Sequence, residues 1–128
     1  MIHEDYVTFE QAQKLKQLGF DWECNHYYHL YDEQDTLSTL SKFENSNKFD
    51  KNWSAPTLAQ AQKWLREVKG IIIIPHVIHV EDILKYDFYI YGELLDIECD
   101  FEGFNTYEFA LSEGINKALN FLKEQENG

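Results

Sequence analysis

Two His-x-x-His pairs, His26/His29 and His76/His79, are the residues of this chain best suited by type to hold a metal ion. Imidazole ligates zinc, copper, iron and nickel, and four of them would make a closed site. The backbone carrying them weakens that reading. Both pairs lie in segments that read as strands, where positions i and i+3 point to opposite faces. Each strand then offers one histidine per face. A site would need His26 or His29 to meet His76 or His79, together with a carboxylate or thiolate. The plainer expectation is ordinary strand histidines, half-buried or paired.

A second set is acidic. Asp96, Glu98 and Asp100 alternate with Leu95, Ile97, Cys99 and Phe101, so one face of that strand is carboxylate and the other apolar. Three carboxylates on one face suit Mg²⁺ and the hydrolysis it supports. No local lysine or histidine accompanies them, and the better reading is a solvated outer face whose charges block edge-to-edge pairing. The metal candidates are therefore His76, His79, Asp96, Glu98 and Asp100, with no metal expected. Neither Cys24 nor Cys99 sits in a nucleophile signature. Cys99 reads as a buried structural thiol. The chain has no P-loop, Rossmann fingerprint, His-Glu-x-x-His or serine-hydrolase elbow, and only six glycines to cradle a phosphate. No catalytic residue and no cofactor are assigned.

Aromatic side chains are the remaining resource. Tyr27, Tyr28, Tyr31, Trp53, Tyr86, Tyr89 and Tyr91 exceed what one sheet face needs for its core. Tyr and Trp are enriched in interfaces because they join apolar area to a polar tip. Phe49 and Trp53 fall in the polar stretch 44–54, which reads as a long loop, and loops carry binding more often than scaffolds do. Phe49, Trp53, Tyr89 and Tyr91 are the interaction candidates.

The elements that must position these residues are legible from caps and periodicity. The spacing predicts helices near 9–18, 58–69 and 106–123. Thr8 with Gln11 and Thr57 with Gln60 make capping boxes, and Asn105 with Glu108 is the third. Gly19 and Gly70 stop the first two helices. Strands are predicted over 26–31, 37–43, 71–80, 86–91 and 94–101. Pro75 requires a bulge or an edge position, and Gly92-Glu93 forms a two-residue turn. The fold class is α+β: an antiparallel sheet with three helices in the order α-β-β-α-β-β-β-α. The Leu95/Ile97/Cys99/Phe101 face is expected to meet the third helix.

Thr8, Thr57 and Thr106 recur at a constant interval, each followed four positions later by an alanine. A duplicated helix–hairpin unit, with half-repeats 6–53 and 55–101 and a C-terminal helix 106–123, would produce this. So would convergence of capped amphipathic helices.

At 128 residues the chain suits one domain, 1–128, and 44% hydrophobic with 16% aromatic residues is too apolar for disorder. The net charge is −12, and the eleven Lys and Arg are scattered. Phosphate backbones and anionic membranes repel such a surface, so no nucleic acid and no membrane partner is expected. With two cysteines, no basic-then-apolar leader and no aliphatic run longer than Ile71–Ile74, the protein reads as cytoplasmic with reduced thiols.

Three segments carry a resemblance. Tyr6-Val7-Thr8-Phe9-Glu10-Gln11-Ala12 through Phe20, Ser54-Ala55-Pro56-Thr57-Leu58 through Glu67, and Tyr107-Glu108-Phe109-Ala110 through Leu119 resemble small uncharacterised proteins of Bacteroides-type gut bacteria and their phages and mobile elements. In that family a Gly-Glu-Leu turn precedes the last helix, as Gly92-Glu93-Leu94 does here. The family carries no assigned activity. The resemblance implies context: a bacterial cytoplasmic accessory protein, phage-derived.

Two functions follow from these readings. The first is a non-catalytic accessory or interaction domain meeting a protein partner or a second copy, one version being an acidic mimic of nucleic acid. The second is a metal-dependent hydrolase using the strand carboxylates with His76 or His79.

Overall fold

Each of three threonines closes the first turn of a helix. The computed structural model describes residues 5–31, 36–93, 95–97 and 103–127. Helix α1 spans Phe9–Gln17, α2 Leu58–Val68 and α3 Tyr107–Asn127. Thr8 accepts from the Gln11 amide at 3.1 Å and its own amide donates to Gln11 Oε1 at 2.8 Å. Thr57 and Gln60 repeat the pair at 3.1 and 3.0 Å. The third box differs from expectation. The Phe109 amide donates to Thr106 Oγ1 at 3.1 Å, so the cap is Thr106, not Asn105. The third helical position then holds Phe109, which has no acceptor to return the bond, and the box is half made. All three threonines of the constant interval are thus caps. Gly19 and Gly70 take φ of +94° and +69°, and the amides that follow them return to Leu15 O and Leu65 O, both at 2.9 Å.

The strands form two antiparallel sheets where one was expected. Strands β1 (Cys24–His29), β2 (Ser38–Glu44) and β3 (Asn52–Ser54) lie in the order β2-β1-β3. Strands β4 (Ile72–Val80), β5 (Ile83–Gly92) and β6 (Leu95–Ile97) lie in the order β4-β5-β6. The α-β-β-α-β-β-β-α order holds, with short β3 added before α2. That addition comes from the stretch read as a loop. Its asparagines act as backbone surrogates: Asn47 Nδ2 donates to Phe20 O at 2.9 Å, and its Oδ1 accepts from the Ser54 amide at 2.7 Å. Lys16 Nζ donates to the Phe49 and Asn52 carbonyls, both at 2.7 Å. Polar composition here marks structure rather than solvent. The two halves share a helix followed by a paired strand couple, but β3 joins β1 while β6 joins β5.

The β4–β5 hairpin turns on Glu81 and Asp82, with φ of +52° and +66°, the left-handed pair that a type I′ two-residue hairpin turn requires. Pro75 sits on edge strand β4, opposite Phe88, in unbroken register. Gly92 pairs with Leu95, one residue later than the expected turn.

Helix α3 packs across β4 and β5. Its approach is set by Gly114, where an added Cβ would lie 2.7 Å from Ile73 Cγ2 and 3.4 Å from the Phe88 ring. Ile115 and Leu119 of the helix share one buried cluster with Ile73, Phe88 and Ile90 of the strands. The expected contact through Leu95, Ile97, Cys99 and Phe101 falls on side chains outside the described residues. One cluster of buried residues joins both halves, and Trp64 of α2 meets Phe20 edge-on at 5.4 Å. Buried Gln11 ties α1 to α3 by donating to the carbonyl and hydroxyl of Ser112, each at 3.0 Å. No helix among the described residues is long and apolar enough to cross a membrane.

Candidate functional site

Strand alternation separates the histidines. His76 lies opposite Asp87 and His79 opposite Leu84, so the two occupy different faces of β4. His26 and His29 belong to the other sheet. His26 stands against the Tyr6 ring at 4.2 Å, and burial lowers its pKa; its Nδ1 contacts Asn25 Oδ1 at 2.8 Å. His29 Nδ1 contacts Lys51 O at 3.1 Å. Among the described residues, no three of His, Cys, Asp and Glu gather as a metal site would require. The backbone of Asp96 pairs with Tyr91, while Glu98, Asp100 and Cys99 lie outside the described residues. Tyr91 is four residues from Asp87 along β5, roughly 13 Å, so register alone holds Asp96 well away from His76. Cys24 is a buried free thiol whose pKa burial pushes up to about 12, which removes it as a nucleophile.

One residue that sequence reading passed over does meet a histidine. Asp87 is fully buried in β5 on the same face as His76. Its Oδ1 accepts from the Phe88 amide at 2.8 Å. Its Oδ2 and His76 Nδ1 are both buried without a hydrogen-bond partner among the described residues. His76 stacks on Tyr89 at 4.3 Å. The available signal was a single acid inside the aromatic run Tyr86-Asp87-Phe88-Tyr89. Only the hairpin register, which brings position 87 opposite 76, gives that signal meaning.

No family model, curated protein or solved structure matches this chain. The reading of the site therefore rests on its own geometry.

That geometry concentrates exposed apolar area on the β4–β5 hairpin. On the face away from α3, Ile72, Ile74, Ile83 and Tyr91 are exposed, with Tyr89 half-buried beside Tyr91. The T-shaped contact of Tyr86 with Tyr107 marks where α3 begins. On the α3 side of the hairpin end, Val77 is 51% and Leu84 54% exposed, and Ile83 on the other face is 59% exposed. Roughly half of the large exposed apolar side chains among the described residues sit on this one hairpin.

The other interaction candidates divide. Phe49 is exposed, with Lys48 Nζ 5.3 Å from its ring centre. Trp53 is partly buried in β3, edge-on to Phe9 at 5.1 Å and under Lys16 Nζ at 5.3 Å. Two clefts of about 320 and 250 Å³ adjoin at the start of α3, sharing Thr106 and Phe109. Lys85 is the charged side chain lining the first, and Asp5 and Glu108 line the second. Neither holds a nucleophile paired with a base.

Proposed function

We propose that this chain is a non-catalytic interaction domain that docks on other protein through its β4–β5 hairpin. The observation that carries this is the density of exposed Ile, Val, Leu and Tyr on one two-stranded element. Burying apolar surface is worth about 25 cal/mol per Å², and exposed apolar side chains gathered on one element are the kind of surface that marks an interaction site. A partner that binds the folded hairpin end also stabilises the fold by mass action. The net charge of −12 disfavours nucleic acid as that partner. The resemblance to small proteins of Bacteroides-type bacteria and their phages fits an accessory role in a bacterial cytoplasm.

The test compares the chain with an Ile83→Lys/Leu84→Lys variant as immobilised baits in extract from a Bacteroides-type bacterium, alongside the solution mass of each. A captured protein or self-association lost in the variant supports the reading. Identical behaviour of both baits overturns it. Stoichiometric zinc or manganese in the purified protein would instead favour a metal-dependent hydrolase built around His76 and its facing carboxylate, Asp87.

A further inference from the structure

The geometry points to a two-fold dimer in which β4 of one copy pairs antiparallel with β4 of a second copy through Val77, Ile78 and His79. This deepens the interaction reading and rests on it: it names the partner of the same hairpin. The argument begins with the direction of backbone groups. Val80 and Ile83 flank a two-residue turn and so exchange hydrogen bonds with each other. Pairs alternate along the ladder, so Ile78, His76 and Ile74 bond to β5. Ile73, Pro75, Val77 and His79 direct their backbone groups to the outer side. An independent contact agrees: Gln62 of α2 reaches the Ile73 carbonyl from outside at 2.8 Å.

The outer edge is therefore closed in part and open in part. Gln62 occupies Ile73, and Pro75 has no N–H to offer. Val77 and His79 each present a donor and an acceptor, and among the described residues no strand pairs with that side of β4. Natural edges are guarded by charge, proline or bulges. Beyond Pro75 this one has none, because Ile72–Val80 contains no Asp, Glu, Lys or Arg in a chain of net charge −12.

Those facts select the occupant. Two outward residues separated by one are their own antiparallel complement. Val77 against His79 of the second copy, and the reverse, makes four N–H···O=C bonds with Ile78 on the axis. A basic peptide would find no carboxylate on this strand to answer it. The acidic turns, Glu81-Asp82, end at opposite ends of the joint, roughly 20 Å apart. That exceeds the Debye length of about 8 Å at physiological salt, so their repulsion is screened. The pairing also covers Val77. A joint this short is small beside the ~800 Å² per partner of a standard interface, so dissociation in the micromolar range is expected.

Sedimentation equilibrium of the full chain over rising concentration tests this. The mass should climb from 15.2 kDa toward twice that value. Val77→Pro removes an outward donor and leaves the β5 ladder intact, so it should hold the protein monomeric with an unchanged far-UV spectrum. Val77→Ala, which keeps the donor, should still associate. Ile78→Cys gives a second readout that needs no proline in the strand. Opposed residues on the axis of such a ladder have Cα atoms about 4.5 Å apart, within disulfide reach, so mild oxidation should yield a 78–78 linked dimer absent from the parent. A parent that stays monomeric at several hundred micromolar, or an Ile78→Cys chain that does not crosslink, overturns the dimer. If either occurs while the lysine variant still loses a captured foreign protein, the hairpin remains a docking surface and only the second copy is excluded.

Discussion

At the scale of single residues, a buried polar group can tie two elements together. Gln11 shows it best. It closes the first turn of α1 and spends its amide nitrogen on Ser112 of α3. Gln11→Ala should cost about 2–3 kcal/mol, because it removes a cap partner and strands buried groups at Ser112. Urea unfolding would measure it, and Gln60→Ala, which removes the equivalent cap partner in α2, should cost less. Of the three groups among the described residues that burial shifts, Lys16, Cys24 and His26, the last two set the limbs of the pH dependence. Above pH 9.0 the unfolded chain loses the Cys24 proton, while the folded chain keeps it until about 12. The unfolded state then binds fewer protons, so stability falls as pH rises through that window. For His26 burial lowers the folded pKa below 6.5, so on acidification the unfolded chain takes up its proton first and stability falls as pH drops below 6.5. Thermal unfolding across pH should therefore show a maximum between the two, and Cys24→Ser should flatten the alkaline limb.

At the scale of elements, the contact of α3 with the β4–β5 hairpin is the joint that everything else depends on. Gly114 sets its distance. In an exposed helix Gly→Ala gains up to about 1 kcal/mol of propensity. Here the new methyl would stand 2.7 Å from a methyl of Ile73, itself 2% exposed in the core. Overpacking a filled core costs about 1–3 kcal/mol, so Gly114→Ala should destabilise on balance. Pairing it with Ile73→Ala, which deletes the clashing Cγ2, should cost less than the sum of the two single changes if the clash is the cause. The elements were also the most legible level. Thr8, Thr57, Gly19 and Gly70 marked two helices to within a residue, because caps and stops act on backbone groups a few positions away. The third cap was misplaced by one residue, since Asn105 and Thr106 are both competent and only the turn geometry chooses between them.

At the scale of the whole molecule, one hydrophobic core runs through both halves of the chain. Phe20 meets Trp64, Gln11 meets Ser112, and residues 5–7 bond alongside 56–58 through Val7 to Pro56 O at 3.1 Å and Leu58 to Asp5 O at 2.9 Å. Unfolding should therefore be a single cooperative transition followed by any probe. Fragments 1–54 and 55–128 should each be unfolded alone and recover native-like circular dichroism when mixed. Independent folding of either fragment would show that the two halves are separable units. The candidate site belongs to this scale too. In sequence, Ile72, Ile74 and Val77 are simply part of the predicted strand 71–80, and nothing in the pattern says which of them are covered. They are exposed because α3 covers one face of the sheet and begins too late along the chain to reach the hairpin end.

The amino-acid sequence by itself determined the local features: the caps and stops of α1 and α2, most of the strand segments, the restriction of Pro75 to a bulge or an edge, the acidity and the alternation that separates His76 from His79. Each is decided within a few residues of chain by hydrogen bonding, sterics or periodicity. The tertiary structure alone decided the rest: that the strands divide into two sheets, that the asparagines at 45 and 47 build a turn, that Asp87 faces His76, and that an apolar hairpin is left uncovered. Those are statements about which distant surfaces meet. Pattern along a strand says that a residue is apolar, but whether anything lies over it depends on where another element ends.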